Sequence, residues 1–149
     1  MSAGDLAYVG LPEVLLRLRT ILEESGLRCS PYIIDHSGNT ASHLVNETFS
    51  LAATQQNTGI YRDVTPLRVQ HTVTATIVWK MKPSDQFAEQ IRVLAAVENL
   101  IRVVHLQSRT IEIRVTWQST TPTLSPTREF LITPIAFAVE HDWYGEPLE

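Results

Sequence analysis

The sequence has one cysteine, six glycines and fewer basic than acidic residues, and these shortages exclude several classes of protein. Because Cys29 is alone, the chain can form neither an internal disulfide nor a metal site made of several cysteines. The net charge of -4 argues against nucleic-acid binding through a general basic surface, since such binding depends on Lys and Arg. No apolar run approaches the ~18–20 residues that span a bilayer, and no secretion signal is recognisable. We therefore expect a protein that is made in the cytoplasm and has no membrane contact.

The sequence motifs of common enzymes are also missing. There is no Gly-x-Ser-x-Gly elbow for a nucleophilic serine, no Gly-x-x-x-x-Gly-Lys phosphate loop and no Gly-x-Gly-x-x-Gly dinucleotide fingerprint. None of the five histidines forms a pair with the spacing of metal ligands. We therefore predict a protein that is not an enzyme and has no catalytic, cofactor-binding or metal-binding residues.

His71 is the histidine that falls on the apolar face of a predicted strand. This position predicts a buried, hydrogen-bonded side chain. The alternative is a small α+β enzyme or ligand-binding domain that uses His71 together with residues from the loops. A pocket beside His71, or loss of turnover in a His71→Ala variant, would favour that alternative.

The most informative stretch is a strand followed by a helix. Residues 69–80 alternate between apolar and polar side chains, which predicts a long strand with one apolar face. After Pro83, a helix is predicted from Ser84 to about Val104. Its predicted apolar stripe, expected to pack on the strand, consists of Phe87, Ile91, Leu94, Ala95, Leu100 and Ile101.

Around this pair, the sequence predicts a single domain over residues 1–149, with a loose arm at 1–10 and a polar tail at 141–149. A first helix is predicted from Leu11 to Glu24, ended by Gly26. Further strands are predicted within 27–34 and over 48–54, 110–117 and 128–139, with irregular loops at 35–47, 55–66 and 118–127. The fold class is therefore α+β, with two main helices on a mixed or antiparallel sheet of about four to five strands.

Two surfaces of the predicted sheet indicate contact with another subunit. The last strand is apolar on both faces but contains Pro134, which predicts an edge strand at a subunit boundary. Thr72, Thr74 and Thr76 form a row on the polar face of the long strand. Such a row is typical of an exposed sheet face, and it also suits a face that lines a ring or meets a neighbouring subunit.

Three parts of the sequence together resemble the tail terminator (tail completion) proteins of long-tailed bacteriophages. They are the amphipathic first helix, the long strand with its helix, and the closing strand Arg128-Glu129-Phe130-Leu131-Ile132-Thr133-Pro134-Ile135-Ala136-Phe137-Ala138-Val139. The resemblance covers the layout of most of the chain, and no individual functional residue transfers by motif.

The resemblance implies a structural virion protein, located at the neck of the tail and made in the host cytoplasm. Six copies would form a ring on the head-proximal end of the tail tube, ending tube growth and joining the head connector. DNA would pass through the ring without sequence-specific binding. The implied partners are other copies of the chain, the tail tube protein and the head–tail connector protein, with the tail sheath as a further candidate. The alternative within this class is another neck or tube component, such as a head-completion protein.

We predict two sets of contact residues on this basis. The candidate subunit interface consists of Thr72, Thr74, Thr76, Arg114, Arg128, Phe130, Ile132 and Ala136. The loops predicted to contact the tube or the connector are represented by Asp35, His36, Asn39, Asn57, Thr58, Tyr61, Pro122 and Pro126. Long irregular loops in a compact domain are usually functional or disordered.

Overall fold

The computed structural model describes residues 11–34, 44–58, 67–108, 113–125 and 127–143, which form two helices and one six-stranded mixed sheet. The predicted α+β class is confirmed, with six strands rather than about four to five, because a two-residue strand, Thr123–Leu124, forms within the predicted linker. In chain order, the elements are α1 (Leu11–Glu24), β1 (Arg28–Cys29), β2 (Thr48–Thr58), β3 (Leu67–Lys80), α2 (Gln86–Gln107), β4 (Ile113–Thr120), β5 (Thr123–Leu124) and β6 (Phe130–Trp143).

The sheet has the strand order β1-β2-β3-β6-β4, and β5 pairs with β6 beyond the end of β4. Only β1 and β2 are parallel neighbours; the other adjacent strands are antiparallel. Because β3 and β4 both run antiparallel to β6, they are parallel to each other, and α2 connects them. The chain therefore crosses over β6 through α2 and later returns to fill the gap between β3 and β4.

One face of the sheet packs against both helices and forms the main core. The long strand places its odd-numbered side chains there, including Val73, Ala75 and Ile77, as its alternation predicts. Within this core, the indole Nε1 of Trp79 donates to Thr133 Oγ1 at 3.1 Å. The Thr133 hydroxyl in turn donates to the Ile77 carbonyl at 3.0 Å, so both buried polar groups are satisfied.

The other face, called the back face below, has a smaller buried cluster at one end. Val78 of β3 and Ile132 of β6 are paired neighbours there, and Ile34 and Leu44 cover them. Ser50 Oγ accepts a hydrogen bond from the backbone N–H of Ile34 at 3.0 Å, which fixes the covering segment to β2. Only one end of the back face is therefore closed by the described part of the chain.

The predicted helix after Pro83 is present, but its predicted buried stripe is wrong at its N-terminal end; Leu100 is in the core and Ile101 packs against it. Phe87 is 74% exposed, Ile91 is 53% exposed and Ala95 is also exposed, whereas Leu100 alone of that stripe is fully buried. The side of α2 that packs on the sheet consists of Glu89, Val93, Val97, Leu100 and Val104. The helix also starts later than predicted, because Asp85 rather than Ser84 caps it by accepting from the Ala88 N–H at 3.1 Å.

The last strand lies in the middle of the sheet, so the predicted edge position is wrong. Pro134 is tolerated there because β4 ends beside it. Its carbonyl accepts the N–H of Thr121 at 3.2 Å, in the connection between β4 and β5. Backbone groups of one strand residue point the same way, so the missing proline N–H would also have pointed at this connection and not at β3. Both apolar faces of β6 are covered mainly within one subunit.

Several predicted boundaries also change. The stretch 55–58 belongs to β2 and not to a loop, and half of the predicted linker 118–127 forms the end of β4 and all of β5. Residues 141–143 extend β6 into the predicted tail. The arm 1–10, the remainder of the tail and the segments 35–43 and 59–66 lie outside the described residues.

Candidate assembly surfaces

The back face brings together all but one of the predicted interface residues. Register places Thr74 opposite Ala136, and the even-numbered residues of β3 and β6 share this face. Arg114 of β4 pairs with Glu140 and so lies on the same face. The interface residues found on the back face are Thr72, Thr74, Thr76, Arg114, Phe130, Ile132 and Ala136.

Not all of these side chains can contact a partner. Ile132 is fully buried under the covering segment, and Thr76 is also buried. Thr72, Thr74 and Ala136 are half-buried and Arg114 is exposed. Phe130 is half-buried against the covered cluster, so the surface that remains is a strip of small, uncharged side chains with Arg114 at the end away from Phe130.

Arg128 is the interface residue that lies elsewhere. It occupies the turn before β6 with a positive φ of 62°, an uncommon conformation for a residue other than glycine. Its carbonyl accepts from Gln86 Nε2 at 3.3 Å, which links this turn to the first turn of α2. Arg128 is therefore an exposed turn residue whose backbone contacts α2, and it lies outside the strands that form the back face.

The predicted partner-contact residues are divided between described and undescribed parts of the chain. Asn57 and Thr58 pair with Gln70 and Val69 in the sheet, so they are strand residues. Pro122 is half-buried in the connection between β4 and β5. The remaining members of this set lie outside the described residues: Asp35, His36, Asn39, Tyr61 and Pro126.

The exposed stripe of α2 is a surface that the sequence prediction missed. Phe87 and Ile91 are one helical turn apart and point away from the sheet. Beside them, a groove of about 430 Å³ runs between α2 and β5, where Leu124 is 40% exposed. Its lining residues are Met81, Gln86, Phe87, Gln90, Pro122, Leu124 and Leu131. We call Phe87, Ile91 and Leu124 the α2 patch.

Glu89 is a charged residue on the buried side of α2, which is why the apolar pattern predicted a different stripe. It lies on the buried side of the helix, where its carboxylate accepts from Arg92 Nη2 at 2.7 Å and from Arg92 Nε at 3.2 Å. The hydrogen bond from Arg92 lowers the pKa of Glu89 more than desolvation raises it, and a backbone hydrogen bond from Lys82 lowers it further. A charged residue is therefore accommodated on the core side because its carboxylate has partners there.

A second cavity of about 250 Å³ lies between α1 and the C-terminal end of α2. Apolar side chains of α1 and β4, including Leu18 and Val115, line it together with Arg17 and Ser108. Ser108 ends α2, and its hydroxyl bonds to the Val104 carbonyl. Residues 109–112, which follow directly, lie outside the described residues.

His71 has the buried position that the strand pattern predicts. It is 2% exposed and lies between Gln56 of β2 and Val139 of β6 in the register of the sheet. It lines neither of the two cavities just described. Within the described ranges, no group of three or more His, Cys, Asp or Glu residues is arranged to hold a metal ion. The same ranges contain no helix that is long and apolar enough to cross a membrane.

No protein-family model matches the chain, and no curated protein matches it.

Proposed function

We propose that the protein is a tail terminator: a structural virion protein whose copies form a ring on the head-proximal end of a phage tail tube. The ring ends tube growth and offers a joining surface to the head connector. DNA passes through it without sequence-specific contacts. The proposal begins from the layout of helices and strands, and surface observations support it.

The observation that carries the proposal is the α2 patch. A single subunit leaves Phe87 74% exposed and Ile91 53% exposed, while a glutamate occupies the buried side of the same helix. Apolar side chains grouped beside a groove are typical of a surface that another protein covers. We assign this patch to contact with another virion protein, the tube or the connector.

The back face supports the passage of DNA. Its open part carries Thr72, Thr74 and Ala136, which are small and uncharged, and Arg114 at one end is paired in register with Glu140. Tight binding to DNA depends on neutralising phosphates with Lys and Arg, and such binding would hinder movement of the duplex. A face of this composition suits a channel that DNA passes, and the net charge of -4 agrees with that use.

Mass measurement and electron microscopy test the proposal. The purified chain, or the chain on purified tails, is expected to form a closed ring of about six copies of the 16.8 kDa subunit at the head-proximal end of the tube. A strict monomer in assembled particles would overturn the proposal. A ring found at another position in the neck would instead identify a different neck component.

A pair of matched variants tests the α2 patch. Phe87→Asp is expected to abolish joining of tails to heads, because it puts a charge into an apolar contact. The control is Leu16→Asp, since Leu16 is also exposed, at 62%, but lies on α1 away from the groove. Tails should remain competent with the control. If both variants lose head–tail joining equally, or if neither loses it, the α2 patch is not the contact surface.

A further inference from the structure

In the described part of the chain, the sheet has an unpaired backbone edge on each side. β4 forms one outer edge, and no strand in the described part of the chain pairs with its far side. On the other side, β1 covers only Thr48 and Phe49 of β2, so among the described residues no strand pairs with the outer side of β2 from Leu51 onward. Edge strands of this kind are templates for pairing with another chain.

The hydrogen-bonding direction of β4 follows from its neighbour. The Pro134 carbonyl points to the β4 side, since it accepts from Thr121, and alternate residues of an antiparallel strand point the same way. The even-numbered residues of β6 therefore bond to β4, and Thr116 is one of their partners. It follows that Val115 and Trp117 direct their N–H and C=O groups outward.

The same alternation assigns the open edge of β2. The odd-numbered residues of β6 bond to β3, so the even-numbered residues of β3 are left to bond β2, through Ser50 and Ala52. Leu51 and Ala53 therefore direct their N–H and C=O groups away from β3. Each edge thus offers two consecutive outward-facing residues on a regular part of its strand, before a bulge interrupts it.

These two edges fit each other in direction and in face. The strand direction reverses three times between β2 and β4, at the β2–β3, β3–β6 and β6–β4 pairs, so β2 and β4 run in opposite directions. A second copy in the same orientation therefore presents its β2 antiparallel to β4 of the first copy. The outward-facing residues of both edges have their side chains on the helix-covered face: Val115 is in the main core, and Leu51 packs against it. Pairing the edges therefore keeps all helices on one side of a continuous sheet.

The side chains at these edges also suit the pairing. Trp117 is 49% exposed on the helix-covered face, and Ala53 is exposed on the same face of the opposite edge. None of the four outward-facing residues is charged, so the contact brings no like charges together. An aromatic side chain left half-exposed by one subunit gains apolar neighbours from the next.

We propose that β4 of one copy adds antiparallel to β2 of the next copy, so that subunits join head to tail through one shared sheet. The inference rests on the proposed ring, because a head-to-tail contact forms a closed ring when the rotation from each subunit to the next adds up to a full turn. A symmetric β4–β4 pair would leave the edge of β2 open and would stop at a dimer.

Two proline variants test the strand addition. Proline removes the backbone N–H, and it is tolerated in an edge strand where that N–H faces outward. Trp117→Pro and Ala53→Pro should each fold, as judged by circular dichroism and the thermal midpoint, and should each fail to form rings. Trp117→Phe keeps the backbone donor and an aromatic ring, so this control should still assemble.

Mixing the two proline variants distinguishes the possible arrangements. Trp117→Pro keeps an intact β2 edge and Ala53→Pro keeps an intact β4 edge, so an equimolar mixture should form heterodimers and no rings. Native mass spectrometry would detect them. Homodimers of Ala53→Pro alone would indicate a symmetric β4–β4 pair and would overturn the head-to-tail arrangement.

The same measurements separate this inference from the proposed function. If the wild-type chain forms no ring, either alone or on purified tails, the proposed function fails and the strand addition fails with it. If the wild type forms rings and both folded proline variants also form them, only the strand addition is overturned.

Discussion

The two sides of α2 each depart from the usual amphipathic helix, because each carries residues that are expected on the other. The side toward the sheet contains Glu89 among four aliphatic residues, and the side toward solvent contains Phe87 and Ile91. Both sides have helical spacing, so both satisfy the periodicity of an apolar stripe. Burial within one subunit therefore uses one stripe and leaves the other, with Phe87 and Ile91, exposed.

The largest expected effect is on the buried side. Leu100→Ala should lower the free energy of unfolding by about 2–5 kcal/mol, because it removes a buried side chain and leaves a cavity under α2. Chemical denaturation of the purified subunit measures this change. A loss below about 0.5 kcal/mol, which is typical of surface substitutions, would mean that this side of the helix is not packed on the sheet.

Glu89 gives a smaller effect that depends on pH. Its pKa is lowered in the folded chain, chiefly by the hydrogen bond from Arg92. Its stabilising contribution is therefore present above the unfolded pKa and is lost as the pH falls through the folded pKa. Glu89→Gln should destabilise the protein at pH 7, and the difference from wild type should shrink as the pH is lowered from about 5 to 3.

Denaturation of both proteins across that pH range provides the measurement. Glu98→Gln is the matched control, since Glu98 is an exposed glutamate on the same helix. A difference at Glu89 that stays constant with pH would show that the carboxylate charge is not what stabilises the helix.

The smallest expected effect on the single subunit is at the exposed side. Phe87→Ser should change the free energy of unfolding by no more than about 0.5 kcal/mol, because most of the ring is already in contact with water. Denaturation at a concentration where the chain is monomeric measures it. A loss comparable to that of Leu100→Ala would place Phe87 in the core of the subunit and would remove it from the α2 patch.

The helices and strands could be predicted from the sequence more accurately than the contacts between them. The limits of α1 and the alternating faces of β3 were predicted, because both depend on local periodicity. The back-face position of Thr72, Thr74 and Thr76 followed from the same alternation. The open edge of β2 could not be found in this way, because it depends on how short β1 is relative to β2.

The sequence by itself determined the α+β class, the two helices and the division of the long strand into an apolar and a polar face, since these follow from side-chain spacing along the chain. Only the tertiary structure decided that β6 is central and which stripe of α2 is buried. Pro134 is acceptable inside the sheet because β4 ends beside it, a fact about a strand distant in sequence. Glu89 is acceptable on the buried side because Arg92 and Lys82 meet its carboxylate. The spacing of apolar side chains shows which faces of an element can be buried. Contacts with residues distant in sequence decide which of those faces is buried in the folded chain.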